Sequence, residues 1–483
     1  MHRGGLADHL PKSALVAFAA LLAGGCVQGP DYEKPVVSVP DAYRFQLPAD
    51  QVQNPSWWNA YSDPHLDALV QEALASNRDL RIASARVDEF AAILAGTRSQ
   101  AFPQVGYGLS GNRSRASEDL IPGIVDNKST TFNSLLTASW EIDLWGRIRR
   151  ETEAARANLL ATEEARRGVT LTLISSVIAG YITLLDLDGQ LRVAMATAEG
   201  RKKSVDLFQM RLDAGWISDF EMSQVRAEYE SALQQIPGIR QAIATQEHAL
   251  SVLVGRNPGA IERSDEPDPR FTPTVPAGLP SDLLLRRPDI LQAEQQLIAS
   301  NALIGAARAL FFPRISLTGL FGFASGSLGN LFKGSSHTWS FTGDVAGPIY
   351  TGGGLTAAVD QAKARRDQSL ANYELVIQNA FRDVEDSLAD VRHSAEVRDI
   401  IRRRVETLRR GVELANERYD NGYSDYLEVL DTERSLFNAE LQLAAARGDY
   451  QRALVSLYRA LGGDWTGVPP STARSATGGA TGQ

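Results

Sequence analysis

Cysteine is nearly absent from this chain: Cys26 is the only one in 483 residues. One thiol cannot close an internal disulfide or supply the paired thiolates of a Cys-based zinc site. Stability must therefore come from packing. Histidine is also scarce. His2, His9, His65, His248, His337 and His393 show no H-x-x-x-H pair or other ligand spacing. There is no G-x-S-x-G; Gly322-Phe323-Ala324-Ser325-Gly326 has its serine one place late. Gly352-Gly353-Gly354 opens a helix, but no Walker lysine follows, so it reads as a flexible strand-to-helix turn. Arg286-Arg287-Pro288-Asp289 fits a phosphate ligand or a helix start with proline in its first turn. An excess of positive charge is missing too. Against 49 Lys+Arg stand 58 Asp+Glu, a net charge of -9, so nothing general draws the chain to nucleic acid. The expectation is a protein that is not an enzyme and has no catalytic residues, no cofactor and no metal.

Uninterrupted apolar runs are equally rare. Gly168 to Leu185 carries no charge and is just long enough to be considered as a membrane span. It contains Thr170, Thr172, Ser175, Ser176, Gly180 and Thr183, and it continues a charged helical pattern on both sides. It reads as the buried section of a long helix.

What is present begins at the N-terminus. Arg3 and Lys12 precede the apolar stretch Ala14 to Ala23, and small residues lead into Cys26. Residues 1–25 are expected to be a secretory signal peptide. The cleavage region is similar to the bacterial lipobox, with Ala23 where Leu, Val or Ile is usual. That resemblance implies a diacylglycerol thioether on Cys26 and acylation of the new N-terminus. Val27 in the next position favours the outer membrane over the inner.

Residues 26–62 are rich in proline and polar side chains and read as an extended tether. Asp63-Pro64 then starts a helix, with the stripe Leu66, Leu69, Val70, Ala73, Leu74, expected to run to about Ala101. Two stretches are far longer than ordinary helices. Arg147 to about Ala214 has no proline and would be about 100 Å long at 1.5 Å per residue. Leu355 to about Asp420 is the second. Each meets a glycine-containing turn and a further helix, Asp219 to Val254 and Asp425 to Leu461, giving coiled-coil hairpins with solvated Arg- and Glu-rich flanks such as Arg402 to Arg410.

Four segments alternate with period two. Their apolar faces carry Tyr107 in the first, Trp140 in the second, Phe321 in the third, and Trp339 and Phe341 in the fourth. These five are the candidate lipid-facing residues of a transmembrane β-barrel. A soluble hairpin with one buried face would show the same alternation.

The chain also repeats itself. Phe102-Pro103-Gln104-Val105 matches Phe312-Pro313-Arg314-Ile315, and Arg211-Leu212-Asp213-Ala214-Gly215 matches Arg418-Tyr419-Asp420-Asn421-Gly422. Residues 63–255 and 282–462 therefore form two copies of helix, two strands and helical hairpin, with 256–281 as linker and 463–483 as a flexible tail. The second tip reads as one residue shorter than the first between its Gly and Ser. Single-chain bacterial barrels start at eight strands. Four strands cannot close alone, so transmembrane strands here require several chains in one barrel.

Cys26-Val27-Gln28-Gly29-Pro30-Asp31-Tyr32, Trp57-Trp58, Ser139 to Arg147 (SWEIDLWGR), Leu285 to Ile290 (LRRPDI) and Phe312-Pro313 together resemble the outer-membrane efflux protein family, TolC-like, in its lipoprotein branch of the OprM and NodT type. The resemblance implies a mixed α and β membrane protein: a homotrimer with a 12-stranded barrel continuous with a long periplasmic α-helical barrel. It implies docking to a periplasmic adaptor and an inner-membrane pump, with outer-membrane lipid around the strands. In such a tube the hairpin tips converge, making Asp420, Tyr423 and Asp425 candidates for the periplasmic aperture, where an acidic ring would favour cations. Asp425 also suits a helix cap. The expected function is a passive exit duct for small molecules, anchored by lipid to the outer membrane. The alternative is a lipid-anchored periplasmic coiled-coil adaptor.

Overall fold

The computed structural model describes residues 27–37, 39–40, 42–44, 61–117, 128–264 and 283–463. Cys26, the signal peptide, Trp57-Trp58, most of the linker and the tail lie outside the described residues. The helices are α1 (Pro64–Ser76), α2 (Arg78–Ser99), α3 (Arg147–Asp213), α4 (Asp219–Leu253), α5 (Leu283–Arg286), α6 (Pro288–Ala309), α7 (Gly354–Asp420) and α8 (Tyr426–Ala460). The strands are β1 (Gln104–Arg115), β2 (Lys128–Ile142), β3 (Arg314–Ser325) and β4 (His337–Ala346).

The internal repeat is visible in element lengths. Helices α2 and α6 have 22 residues each, α3 and α7 have 67 each, and α4 and α8 have 35 each. Such lengths far exceed an ordinary globular helix and need long apolar stripes buried against neighbours.

The chain forms two compact units. The first takes in the stretch ending at Val37 together with Ala85–Glu164 and Gln292–Leu375. It holds the whole sheet, a single antiparallel layer in the order β1-β2-β3-β4. Below the sheet, α3 and α6 pack through small residues, Ala154 and Ala157 against Ala299 and Ala302.

The second unit takes in Ser38–Ser84, Ala165–Leu291 and Val376 onward. Its core joins the expected α1 stripe (Leu66, Leu69, Val70, Ala73) to Val177, Ile178, Tyr181 and Leu184 of α3, with α4, α7 and α8 around them. The uncharged stretch of α3 is thus the centre of a protein core, each full apolar burial contributing about 1.5–3 kcal/mol. Arg287 is buried here and resolves the LRRPDI motif as structural. Its guanidinium donates to the carbonyls of Ala380 (3.4 Å) and Ala460 (2.9 Å) and pairs with Asp289 (2.7 Å) and Asp383 (3.1 Å).

The expected single helix from Asp63 to about Ala101 is two helices. Asp63 does cap the first, its Oδ1 accepting from the amides of His65 and Leu66. Asn77 interrupts it with extended ψ of 136°. Its Oδ1 accepts from the Leu80 amide at 2.8 Å, and its Nδ2 donates to the Leu253 carbonyl at 2.8 Å. The break is stabilised by one local cap and one distant acceptor.

Candidate channel-forming surfaces

In an antiparallel ladder, directly paired residues lie on one face. The register gives Tyr107↔Leu136, Leu136↔Phe321 and Phe321↔Trp339, an apolar row across all four strands. The next row toward the helices is Val105, Ala138, Gly319 and Phe341, followed by Trp140 opposite Leu317. All five expected lipid-facing residues therefore share one face, and all are exposed in the single chain, from 37% for Trp140 to 84% for Tyr107. The other face carries the rows Gln104, Ser139, Thr318, Thr342 and Gly106, Thr137, Leu320, Ser340. It is rich in Ser, Thr, Gly and Asn, with Leu135 and Leu320 as its large apolar residues. Glu141 and Asp344 lie on this polar face near the helices, and Arg147 binds Glu141 at 3.0 Å.

The sheet ends in an aromatic collar at its helix side. The Trp140 Nε1 donates to the Ala101 carbonyl at 2.9 Å. Trp145 stacks on Phe312 at 4.6 Å, and its Nε1 donates to the Pro313 carbonyl at 2.8 Å. Ring-bearing anchors at the end of an apolar face match the interfacial girdle of a barrel. The outer edges of β1 and β4 have no strand partner among the described residues.

The residues after Cys26 are fixed in place. The Gln28 amide donates to the Trp145 carbonyl, and Arg150, itself buried, donates to the Gln28 carbonyl at 3.0 Å and pairs with Asp31 at 2.8 Å. Asn301 donates to the Pro30 carbonyl at 3.0 Å, and Lys34 pairs with Glu294 at 2.8 Å. Gly29, at φ +95°, lies so close to Gly305 that a Cβ on either would meet backbone within 2.4 Å. Of the stretch expected to be a tether, residues 27–34 are locked against α3 and α6; most of residues 38–60 lie outside the described residues. The sequence signal for this was the pair Gly29 and Gly305, which no periodicity marks.

At the far ends of the long hairpins, Gly215 and Gly422 adopt φ of +76° and +74° and close the same C-terminal turn. The amides of Trp216 and Tyr423 reach the Arg211 and Arg418 carbonyls at 2.9 and 2.8 Å. Ser218 caps α4 and Asp425 caps α8. The tips therefore align Gly215-Trp216-Ile217-Ser218 with Gly422-Tyr423-Ser424-Asp425. They are equal in length, correcting the one-residue difference expected from matching Ser218-Asp219 to Ser424-Asp425. Asp425 uses Oδ1 to accept from the Glu428 amide at 3.4 Å; Asp420 and Tyr423 are exposed at the same tip.

Sequence reasoning missed what joins the tips. Phe208, Met222 and Val225 of the first hairpin pack with Ala415, Tyr426, Val429 and Leu430 of the second. Arg211 lies over the Phe208 and Tyr419 rings, and its Nη1 donates to the Tyr419 hydroxyl at 2.7 Å. Burial, then Glu433, pushes the Tyr426 hydroxyl up to about 12. Farther from the tips, buried Arg201 pairs with Glu228 at 3.1 Å and covers the Phe437 ring. Glu433 has its pKa raised by burial and by Glu228, against the pull of Arg201.

The sequence profile described as "Outer membrane efflux protein" matches residues 69–256 and 279–463. The toluene efflux pump outer membrane protein TtgI of Pseudomonas putida is 37% identical over 94% of this chain and 98% of its own length. The cation efflux system protein CusC of Escherichia coli is 36% identical over 94% and 99%. The open state of the MtrE outer membrane channel of Neisseria gonorrhoeae superposes with a TM-score of 0.83 at 30% identity, covering 91% of this chain and 99% of that one.

Proposed function

Because this chain belongs to the outer membrane efflux protein family, we propose that three copies join their four-stranded sheets edge to edge into one 12-stranded barrel and form a passive exit duct. The observation that carries this reading is the Tyr107-Leu136-Phe321-Trp339 row with an opposite polar face and two open edges. Unpaired strand edges are not tolerated in lipid, and four strands are too few to close. Pairing of β1 with β4 of the next chain removes every edge. The hydroxyl-rich face then lines water, and the aromatic collar marks the periplasmic membrane surface.

The role is conduction, not catalysis, with no bound cofactor. Energy comes from an inner-membrane pump, reached through a periplasmic adaptor at the hairpin tips. The names of the relatives span toluene and cations. A lumen lined by Ser, Thr and Gly suits a broad range of small solutes, with selection made by the pump. At the tip, Asp420 and Asp425 contribute one carboxylate each per chain to an acidic ring, and Tyr423 narrows the opening. Cys26 carries the lipid. The lock on residues 27–34 supports this, because it holds the segment that follows Cys26 against α3 and α6.

Recording in planar bilayers tests the duct. The purified protein should migrate as an oligomer on unboiled gels and give discrete conductance steps. A stable, non-conducting monomer would favour the adaptor reading.

A further inference from the structure

The two hairpins of the sheet end at different heights. β1 and β2 pair as far as Arg115 and Lys128. β3 reaches only Ser325, opposite Phe132, so β2 runs on past it for about 14 Å of strand. Leu317 lies opposite Trp140 at the collar. From Leu317 to Ser325 is about 27 Å along the strand and about 21 Å along the membrane normal at a tilt of about 40°. The apolar band of an outer-membrane barrel is about 25 Å tall. The connection from β3 to β4 therefore emerges at the boundary between acyl chains and headgroups, not in the water outside.

The composition and bonding of that connection suit such a boundary. Residues 326–336 carry one charged side chain, Lys333, and no acid. The backbone closes on itself in two short 3-10 turns, Leu328–Asn330 and Gly334–Ser336. The amides of Asn330, Leu331, Lys333 and Ser336 all find acceptors within the connection, and the Ser336 hydroxyl donates to the Asn330 carbonyl at 2.8 Å. Internal bonding lowers the cost of placing irregular backbone where water is scarce.

The ring of Phe332 shows which way the connection folds. Phe323 pairs with Ser134 and His337, so it shares the outward face with Phe321 and Trp339. Phe332 meets Phe323 edge-on, with ring centroids 5.6 Å apart. His337 lies edge-on to Phe321 at 4.9 Å and to Phe323 at 6.0 Å. Phe332 thus turns back over the outer wall and not across the lumen. It extends the apolar row of the sheet, yet 70% of its surface stays exposed, as does 66% of Leu328 in the same connection.

We infer that the β3–β4 connection is a membrane anchor, with Phe332 inserted among the acyl chains of the outer leaflet just below the headgroups. This rests on the barrel reading above. The partner is lipid because the exposed ring continues the lipid-facing row without a break. An aromatic ring suits that depth, and the neighbouring Lys333 can bury its methylenes while its ammonium reaches the headgroups. Three copies hold the barrel at a fixed depth from the outer side, as the collar does from the periplasmic side, and this connection leaves the mouth of the duct clear.

The test uses full-length protein in phosphatidylcholine vesicles, with a nitroxide on Phe332→Cys. Trp339→Cys serves as the lipid reference and Thr342→Cys as the lumen reference; the unsubstituted protein, treated in parallel, gives any background from Cys26. Power saturation compares collisions with oxygen, which concentrates in hydrocarbon, and with a water-soluble nickel chelate. The oxygen-to-nickel ratio at position 332 should match that at 339 and exceed that at 342. A ratio equal to that at 342 overturns the anchor. Phe332→Ser with Leu328→Ser should leave single-channel conductance unchanged; a rise would place the connection in the mouth and overturn the anchor as well. Conducting channels with a lipid-like ratio at 339 and a water-like ratio at 332 defeat this inference alone. A non-conducting monomer, or a water-like ratio at 339, defeats the barrel and the anchor with it.

Discussion

Arg211 donates to the Tyr419 hydroxyl at 2.7 Å, tying the tip of the first hairpin to that of the second. The two residues are not equivalents in the repeat. The equivalent of Arg211 is Arg418, which instead pairs with Glu428 at 3.2 Å. The link is therefore an asymmetric device between two nearly symmetric halves, placed where the proposed duct narrows.

Removing that link should loosen the tip. Arg211→Ala loses the hydrogen bond and the stacking over Phe208 and Tyr419, together about 1–3 kcal/mol. Tyr419→Phe loses only the hydrogen bond. Single-channel recording should show larger conductance or more frequent opening for both, with Arg211→Ala the stronger.

The two roles of Asp425 separate by substitution. Asp425→Ala removes the cap of α8, at a cost of about 1 kcal/mol, whereas Asn keeps a capping oxygen. Asp425→Asn should retain thermal stability and lower cation selectivity, and Asp420→Asn should lower selectivity alone. If reversal potentials in a salt gradient do not move in either Asn variant, the acidic ring is built from other residues.

Depth along the strand should grade the cost of charge on the lipid face. Phe321→Arg lies in the central apolar row and should cost about 2–4 kcal/mol, against about 0–1 for Trp140→Arg at the collar. Thr342→Asp, on the polar face, should assemble normally. The readout is the fraction of oligomer recovered from outer membranes.

The lock on the N-terminal segment is tested by Gly305→Ala. Its new Cβ would meet the Gln28 carbonyl oxygen at 2.3 Å. Residues 27–34 must then shift, and limited proteolysis should cut the segment faster than in the wild type. Mass spectrometry of the mature N-terminus should find acylated Cys26 in both proteins.

Glu433 predicts a pH effect. Burial raises its pKa above the ordinary 4.5, so the native state holds that proton more tightly than the unfolded chain. The stabilisation is full below the ordinary value and is lost as pH rises through the native one. Glu433→Gln should therefore be more stable than the wild type at neutral pH, and the gap should shrink on acidification. Thermal unfolding followed from acid to neutral pH measures it.

Much of this was legible because period-two alternation and helix length are local signals. Tyr107, Trp140, Phe321, Trp339 and Phe341 announced their shared face through spacing alone. The break at Asn77 was not legible, since its second partner, the Leu253 carbonyl, is remote in sequence. The tips were misaligned because Ser-Asp recurs at both, whereas the backbone aligns on the two left-handed glycines. Arg211 and Tyr419 meet only through packing of the two hairpins, which no repeat or periodicity encodes.

The central claim is that β1 of one chain pairs with β4 of the next. Cys26 is the only native cysteine, so engineered pairs can be read without background. Cysteines placed singly along the polar face of β1 (Gly106, Gly108) and of β4 (Ser340, Thr342), combined in one chain and oxidised in membranes, should yield covalent trimers on non-reducing gels. Oxidation that leaves only monomers in every combination would contradict the shared barrel.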